Sequence, residues 1–258
     1  MEEKTQQTTT VSASSFTENG RIEAEEIICR ELALSISVNG TETATVLCSP
    51  EDLEDLVFGL LYSEGAIEKS ADVTSINLDA ARALAQVEIK KQFKPKSWTK
   101  PLIATGGGKG NSPGEINIKP VTSKLMVSTN QIIALMQSFL KASPVYCATR
   151  GIHSAAVASP DAIIVRRDDI GRHNALDKVF GSCLRSGIRP DEKLVIISGR
   201  VSSEMLLKVA ARGSPLLLTK AVPTDMGISL AKEMGITLVR CSRDYAVTAY
   251  CNDWRIAG

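Results

Sequence analysis

The strongest constraint on the fold is an alternation of short apolar runs and helical patterns in the second half of the chain. Gly187, Gly213 and Gly235 follow the three helical patterns, where a helix C-cap favours glycine. Strand–helix–strand alternation indicates the α/β class, with a mostly parallel sheet covered on both faces. The apolar runs and the helices between them are, in chain order, 162–165, 174–186, 194–197, 203–211, 216–218, 225–234 and 237–239.

Polar, cationic and glycine residues follow each of the four apolar runs, at 168–173, 198–200, 220–224 and 240–244. Because ligands of open α/β sheets bind outside the carboxyl ends of the strands, these stretches are predicted to converge on one site. Arginine clamps phosphate with two hydrogen bonds, and glycine lets backbone amides approach, so a phosphate-bearing ligand is favoured. For the first stretch, a solvated turn with ordinary salt bridges is the alternative.

The first half has a different pattern. Alternating apolar residues on both sides of Asn39-Gly40 predict a hairpin with a type I′ turn. Ser49 and Pro50 are expected as the N-cap and first residue of the following helix, and 73–90 as a second strand pair. The predicted organisation is a disordered leader over 1–21, a smaller α/β domain over 22–123, and a second domain over 124–258 that carries the predicted ligand site.

The segment 90–123 is rich in Lys, Pro and Gly and has no periodicity, which predicts a mobile loop at the end of the first domain. Its centre, Thr-Gly-Gly-Gly-Lys-Gly at 105–110, could wrap an anion with backbone N–H groups. It lacks the spacing of a nucleotide-hydrolysing P-loop. A flexible linker is the alternative interpretation.

Charge and cysteine usage exclude several classes of protein. Lys and Arg number 30 against 29 Asp and Glu, so nothing attracts the whole chain to nucleic acid or a membrane surface. The longest apolar runs are too short to span a bilayer. No secretory signal is visible, and the six cysteines include no C-x-x-C pair. We therefore expect a cytoplasmic protein without a zinc or disulfide framework.

Several longer motifs closely resemble the FdhD/NarQ family, and the resemblance covers nearly everything after the leader. In the first half, Val-Asn-Gly at 38–40 and Leu-Cys-Ser-Pro-Glu-Asp-Leu at 47–53 fit. The motifs in the second half are Arg-Gly-Ile-His-Ser-Ala-Ala at 150–156, Asp-Ile-Gly-Arg-His-Asn-Ala-Leu-Asp-Lys at 169–178, Ser-Gly-Arg-Val-Ser-Ser-Glu at 198–204 and Val-Pro-Thr-Asp at 222–225.

The resemblance implies an accessory sulfurtransferase of formate dehydrogenase. Proteins of this family pass sulfur from a cysteine desulfurase to the molybdenum or tungsten bis-molybdopterin guanine dinucleotide cofactor, before the cofactor enters the formate dehydrogenase catalytic subunit. The implied second domain is similar to cytidine deaminases, and the implied assembly is a homodimer. Deamination itself is not expected, because Ala155 stands where the catalytic Glu of a His-x-Glu motif would follow His153, and the Pro-Cys-x-x-Cys partner is absent.

The expected cofactor site combines the strand-end residues with a segment that the resemblance assigns to cofactor binding. Asp169 is expected to orient Arg172 or His173 across the turn. The family usually has Phe where Cys241 stands. The predicted cofactor-binding residues are His153, Asp169, Gly171, Arg172, His173, Ser198, Gly199, Arg200, Thr224, Cys241, Ser242, Arg243, Asp244, Tyr245 and Ala246.

One departure from the family concerns the reactive atom. The family carries a Gly-Cys-Gly element whose cysteine holds a persulfide, and Gly107 occupies the place of that cysteine. Glycine has no thiolate and cannot carry sulfur. Cys48, at a strand-to-helix junction, is a possible substitute or a buried core residue, whereas Cys147 and Cys183 are interpreted as packing residues.

Three functions remain open at this point. The first is the relay of sulfur to the cofactor. The second is that of a non-catalytic cofactor carrier that has lost the cysteine. The third is that of an unrelated α/β enzyme acting on a phosphorylated metabolite. A mass increase of one sulfur after incubation with a desulfurase separates the first two. Co-purifying guanine nucleotide separates both from the third.

Overall fold

A computed structural model describes residues 7–91, 102–103, 109–110 and 119–257, with the backbone alone for 102–103 and 109–110. Short 3₁₀ turns lie at Ser70–Asp72, Pro190–Glu192 and Asp253–Arg255. The helices are α1 (Leu53–Ser63), α2 (Thr129–Lys141), α3 (Pro144–Thr149), α4 (Arg172–Arg185), α5 (Ser203–Ala210) and α6 (Asp225–Glu233). The strands are β1 (Thr8–Thr17), β2 (Gly20–Cys29), β3 (Leu32–Val38), β4 (Thr41–Cys48), β5 (Val73–Asp79), β6 (Leu84–Ile89), β7 (Leu102–Ile103), β8 (Lys109–Gly110), β9 (Val127–Ser128), β10 (His153–Ala158), β11 (Ile163–Asp169), β12 (Leu194–Ile197), β13 (Leu216–Thr219), β14 (Thr237–Cys241), β15 (Val247–Cys251) and β16 (Ile256–Ala257).

A six-stranded sheet in the order β11-β10-β12-β13-β14-β15 forms the centre of the second half. β12, β13 and β14 are parallel, which confirms the α/β class. The outer pairs are antiparallel, so the sheet is mixed rather than mostly parallel. β10 is antiparallel to both β11 and β12, and β11 therefore runs in the same direction as β12, β13 and β14.

Helices cover both faces of this sheet. Val195 and Ile197 of β12 face the layer formed by α4, α5 and α6, whereas Leu194 and Ile196 face the layer formed by α2. Side chains alternate between the faces of a strand, so a strand buried on both sides is apolar at every position. The continuous apolar runs of the sequence follow from this double coverage.

The first half forms a four-stranded sheet, in the order β4-β3-β6-β5, that packs on α1. Asn39 and Gly40 between β3 and β4 have φ of 50° and 74°, as the two central residues of a type I′ turn require. β3 pairs with β4 and β5 pairs with β6, both antiparallel. The predicted hairpin and the predicted second strand pair are therefore confirmed. The domain boundaries at 21 and 123 stay predictions.

α1 and α4 join the two halves at a close helix crossing. A Cβ atom on Gly59 would lie 1.8 Å from the Asp177 carbonyl oxygen, and one on Gly181 would lie 1.9 Å from that of Asp55. Only glycine permits these approaches. The crossing fixes the first half against α4, the helix that begins after the turn between β11 and α4, which we call the central turn.

The predicted disordered leader is wrong for the part that the structure describes. β1 and β2 pair over their full length, from Thr8 opposite Cys29 to Thr17 opposite Gly20. Most residues of this two-stranded ribbon, formed by β1 and β2, are exposed on both faces. The strands therefore carry many polar residues, and their composition is similar to that of a disordered segment. Among the described residues, no helix is long and apolar enough to cross a membrane.

Candidate functional site

Three of the four predicted strand-end stretches meet around Gly199. A Cβ atom on Gly199 would lie 3.3 Å from Arg172 Cβ and 3.4 Å from His153 Nδ1. Thr219, the last residue of β13, donates a hydrogen bond to the Gly199 carbonyl at 2.8 Å. The ends of β11, β12 and β13 thus form one surface at the carboxyl edge of the sheet.

Ser198 connects this surface to β10. The Ser154 backbone N–H donates to Ser198 Oγ at 2.9 Å, and His153 Nδ1 lies 3.4 Å from the same oxygen. Burial lowers the pKa of His153, and the charges of Arg172 and Lys220 lower it further. The imidazole is therefore neutral at pH 7 and lies among cations.

Several cationic side chains lie close together at this edge. Burial lowers the pKa of Arg172, and the nearby charge of Arg200 adds to that effect. Arg200 and Lys220 take part in none of the ion pairs between described residues. Deeper in the fold, by contrast, Arg166 forms a two-point pair with Asp168 at 2.6 and 3.1 Å. The exposed edge is therefore suited to an external anion.

Two further residues of this edge, Tyr146 and Arg150, were not predicted from the sequence. Lys220 Nζ donates to Tyr146 Oη at 2.9 Å and lies 4.4 Å from the ring centroid, while Arg150 Cζ lies 5.0 Å from the same centroid. The hydrogen bond from Lys220 lowers the pKa of Tyr146, and Arg150 lowers it further. The i, i+4 spacing of Tyr146 and Arg150 just before His153 was the available signal.

Asp169 holds the central turn through several hydrogen bonds and one ion pair. It accepts hydrogen bonds from the Gly171 N–H at 2.8 Å, Asn174 Nδ2 at 3.0 Å and the Ser49 N–H at 3.0 Å. Its charge is paired with Lys178 Nζ at 2.7 Å, and both side chains are fully buried. The carboxylate therefore satisfies backbone and ammonium donors inside the protein.

Of the two predicted partners of Asp169, His173 contacts a different carboxylate, whereas a contact between Asp169 and Arg172 stays a prediction. His173 Nε2 instead lies 3.3 Å from Glu204 Oε2. Burial lowers the pKa of His173 to about 4, with smaller contributions from the charges of Lys208 and Arg172. His173 is neutral at pH 7.

Ser49 does not cap α1, contrary to the sequence prediction. The N-cap is Asp52, with a left-handed φ of 53°. Ser49 is buried, and its Oγ accepts a hydrogen bond from the Ile170 N–H at 3.0 Å. This serine ties the end of β4 to the central turn, so the two halves share one polar core.

Thr224 lies in the stretch after β13, and the segment 241–246 lies at the remaining strand end, that of β14. Thr224 caps α6, because its Oγ1 accepts from the Gly227 N–H at 3.1 Å. The 241–246 segment is the turn between β14 and β15, closed by a hydrogen bond from the Ser242 N–H to the Ala246 carbonyl at 3.0 Å. Cys241 is buried, whereas 243–246 are exposed at the same edge of the sheet.

The described cysteines separate into inert and accessible thiols. Burial raises the pKa of Cys48 and of Cys183 to about 12, with the charge of Asp169 also raising that of Cys48. Cys48 is therefore a core residue rather than a nucleophile. Cys147 is exposed on α3, so its interpretation as a packing residue is wrong. Gly107 lies outside the described residues.

Comparison with known proteins identifies relatives over most of the chain. The family model described as "FdhD/NarQ family" matches residues 29–257. A protein named "Sulfur carrier protein FdhD" from Geobacillus kaustophilus is 41% identical over 245 residues, 92% of this chain and 93% of the relative. One of the same name from Staphylococcus haemolyticus is 38% identical over 247 residues, 93% and 94% of the two chains.

A solved structure agrees with these sequence comparisons. The crystal structure of a candidate formate dehydrogenase accessory protein from Desulfotalea psychrophila superposes with a TM-score of 0.84 at 26% identity. The match covers 98% of this chain and 100% of the other. The fold described above is therefore shared with that protein along nearly its whole length.

Proposed function

Because this chain belongs to the FdhD/NarQ family, we propose that it is an accessory protein of formate dehydrogenase maturation. It binds the molybdenum or tungsten bis-molybdopterin guanine dinucleotide cofactor as cargo, at the carboxyl edge of the six-stranded sheet. The names of the relatives support the pathway. The expected partners are a cysteine desulfurase and the catalytic subunit of formate dehydrogenase.

The observation that carries this proposal is the convergence of cations around Gly199. Arg172, Arg200 and Lys220 come from the ends of three strands that share one edge, and Gly199 lets the Arg172 and His153 side chains pack close to its backbone. The phosphates of a dinucleotide are the part of the cofactor that such a surface fits. The exposed turn at 243–246 supplies a further cation, Arg243, at the same edge.

We further propose that this chain binds the cofactor without relaying sulfur. A relay needs a thiolate that accepts sulfane sulfur from the desulfurase, and Gly107 provides no such group. Cys48 and Cys183 are too deeply buried to ionise near neutral pH, and the exposed Cys147 lies on α3, outside the Gly-rich loop to which the resemblance assigns the reactive cysteine. A non-catalytic cofactor carrier therefore accounts for the residues better than the sulfurtransferase does.

Calorimetric titration of the full chain with GDP tests the binding site. Arg200→Ala and Arg243→Ala should each weaken GDP binding roughly 10- to 150-fold, since a hydrogen bond to a charged group contributes about 1.5–3 kcal/mol. Arg189→Ala is the control, because Arg189 is exposed and already pairs with Asp191. Unchanged affinity in both Arg200→Ala and Arg243→Ala contradicts the placement of the site.

Mass spectrometry after incubation with a cysteine desulfurase and cysteine tests the relay. The unmodified chain should show no added sulfur, whereas Gly107→Cys should gain the mass of one sulfur. Labelled sulfur on the unmodified chain means that another cysteine carries it, and the exposed Cys147 is then the first to replace. A Gly107→Cys variant that gains no sulfur shows that the loop is wrongly assigned.

A further inference from the structure

Arg150 is held in a backbone conformation that favours glycine. It is the C-cap of α3 with φ of 55° and ψ of 3°, and its N–H donates to the Tyr146 carbonyl at 2.9 Å. This left-handed conformation brings the Cβ of an L-residue too close to its own backbone, which is why helix ends of this kind usually carry glycine. Backbone strain at an exposed residue points to a role for its side chain.

The side chain of Arg150 forms one half of a cation pair on Tyr146. Its Cζ lies 5.0 Å from the ring centroid, and Lys220 Nζ, from the end of β13, lies 4.4 Å from the same centroid. Neither cation forms an ion pair within the part of the chain that the structure describes. Two like charges on one ring repel each other, so an anion between them would stabilise the arrangement.

This cation pair adjoins the proposed cofactor site. Tyr146, Lys220 and Ser198 line one small cleft, and Ser198 is also the residue that contacts His153 at the strand ends. The other residues that line this cleft are Phe139, Leu140, Ser143 and Ser154. A ligand lying along the sheet edge would therefore reach both groups of residues.

We propose that Arg150, Tyr146 and Lys220 form a diphosphate clamp at this edge of the sheet. The proposal rests on the proposed function and specifies which part of the nucleotide these residues hold. Two separate cations match a ligand with two adjacent anionic groups, so the clamp favours a diphosphate over a monophosphate. Tyr146 is a positioning residue, because it fixes Lys220 by a hydrogen bond and supports both cations with its ring.

The Arg150→Gly variant separates this role from a purely structural one. Glycine relieves the left-handed strain, so the melting temperature should stay the same or rise. GDP binding should nevertheless weaken roughly 10- to 150-fold, the loss expected for one charged hydrogen bond, while GMP binding changes much less. Ala83→Gly is the matched control, since Ala83 has φ of 53° in the turn between β5 and β6, in the other sheet. It should raise stability without changing the affinity for either nucleotide.

Tyr146→Phe provides a second variant that keeps the ring. It removes only the hydroxyl that accepts from Lys220, so GDP binding should weaken by a smaller factor than in Arg150→Gly, again with little effect on GMP. Equal GDP affinity in wild type, Arg150→Gly and Tyr146→Phe overturns the clamp. An equal loss of affinity for GDP and for GMP in these variants also overturns the clamp.

Inorganic pyrophosphate separates failure of the clamp from failure of the proposed function, because it needs no base recognition. If wild type binds pyrophosphate but not GDP, and Arg150→Gly loses pyrophosphate, the clamp stands and the guanine site is wrong. If GDP binds wild type and Arg150→Gly alike, the clamp is wrong and the proposed function stands. If neither GDP nor pyrophosphate binds wild type, both proposals are wrong.

Discussion

The buried carboxylate of Asp169 should be essential for the central turn, and Asp169→Ala should destabilise the protein severely. Removal leaves the Lys178 ammonium without its partner in an interior where both side chains are fully buried. Breaking such a pair by deleting one member costs about 3–5 kcal/mol. The same substitution takes the acceptor from the Ser49 and Gly171 N–H groups, each worth roughly 1–3 kcal/mol when left unsatisfied.

These contributions overlap and do not simply add. We expect the free energy of unfolding to fall by at least about 4 kcal/mol, a large share of the roughly 5–15 kcal/mol that is typical of a protein. Urea denaturation followed by circular dichroism measures the free energy of unfolding. Asp169→Asn keeps the shape of the side chain and should lose about 3 kcal/mol through the uncompensated charge alone.

A double-mutant cycle isolates the ion pair. Asp169→Asn combined with Lys178→Met removes both charges, so the double variant should be less destabilised than the sum of the single variants. Asp191→Asn, at the exposed Arg189–Asp191 pair, is the control and should leave stability unchanged. A loss below about 1 kcal/mol for Asp169→Ala refutes the role assigned to this carboxylate.

Three further predictions concern other parts of the molecule. The pKa of His173 is about 4 in the folded protein against 6.5 when exposed, so the free energy of unfolding should fall by up to about 3 kcal/mol as the pH drops from about 6.5 towards 4. His173→Gln should flatten this part of the plot of unfolding free energy against pH, and an unchanged plot contradicts the shift. Gly181→Ala places a Cβ 1.9 Å from the Asp55 carbonyl oxygen, so α1 and α4 must separate and urea denaturation should show a loss of at least roughly 3 kcal/mol. Cys48 is buried with a raised pKa, so the thiol reagent DTNB should leave it unmodified in the folded protein while modifying Cys147; rapid labelling of Cys48 contradicts its placement in the core.

Periodicity predicted the elements whose sequence reflects burial. β12, β13 and β14 are apolar at nearly every position because helices cover both faces, and the helices between them carry one apolar side. The convergence of strand ends followed from the α/β pattern alone, and it survives in a mixed sheet because β11 keeps the direction of β12.

The errors arose where long-range contacts decide the structure. β10, with the sequence His-Ser-Ala-Ala-Val-Ala, has small residues and no distinct period, and its position between β11 and β12 depends on packing. Ser49 matches a helix cap in sequence, but its hydroxyl bonds to a backbone group more than 100 residues away. Asp169 bonds within its own turn to Gly171 and Asn174, but its charge is balanced by Lys178, which is fully buried in the second turn of α4.

Tyr146 and Arg150 show the same limit within the candidate site. Their i, i+4 spacing is visible in the sequence, but the third member, Lys220, directly follows β13 and meets them only after the sheet forms. The left-handed backbone of Arg150 cannot be recognised from its residue type, since glycine is the usual occupant of such positions.

The central claim, that the carboxyl edge of the six-stranded sheet binds a guanine dinucleotide cofactor, is tested most directly by native mass spectrometry of the full chain. The chain and its Arg200→Ala variant should be purified without added nucleotide from cells that synthesise the cofactor. We predict that wild type retains a ligand whose mass and fragments identify the bis-molybdopterin guanine dinucleotide, and that Arg200→Ala retains much less. A nucleotide-free wild type, or a bound phosphorylated metabolite without guanine, contradicts the account.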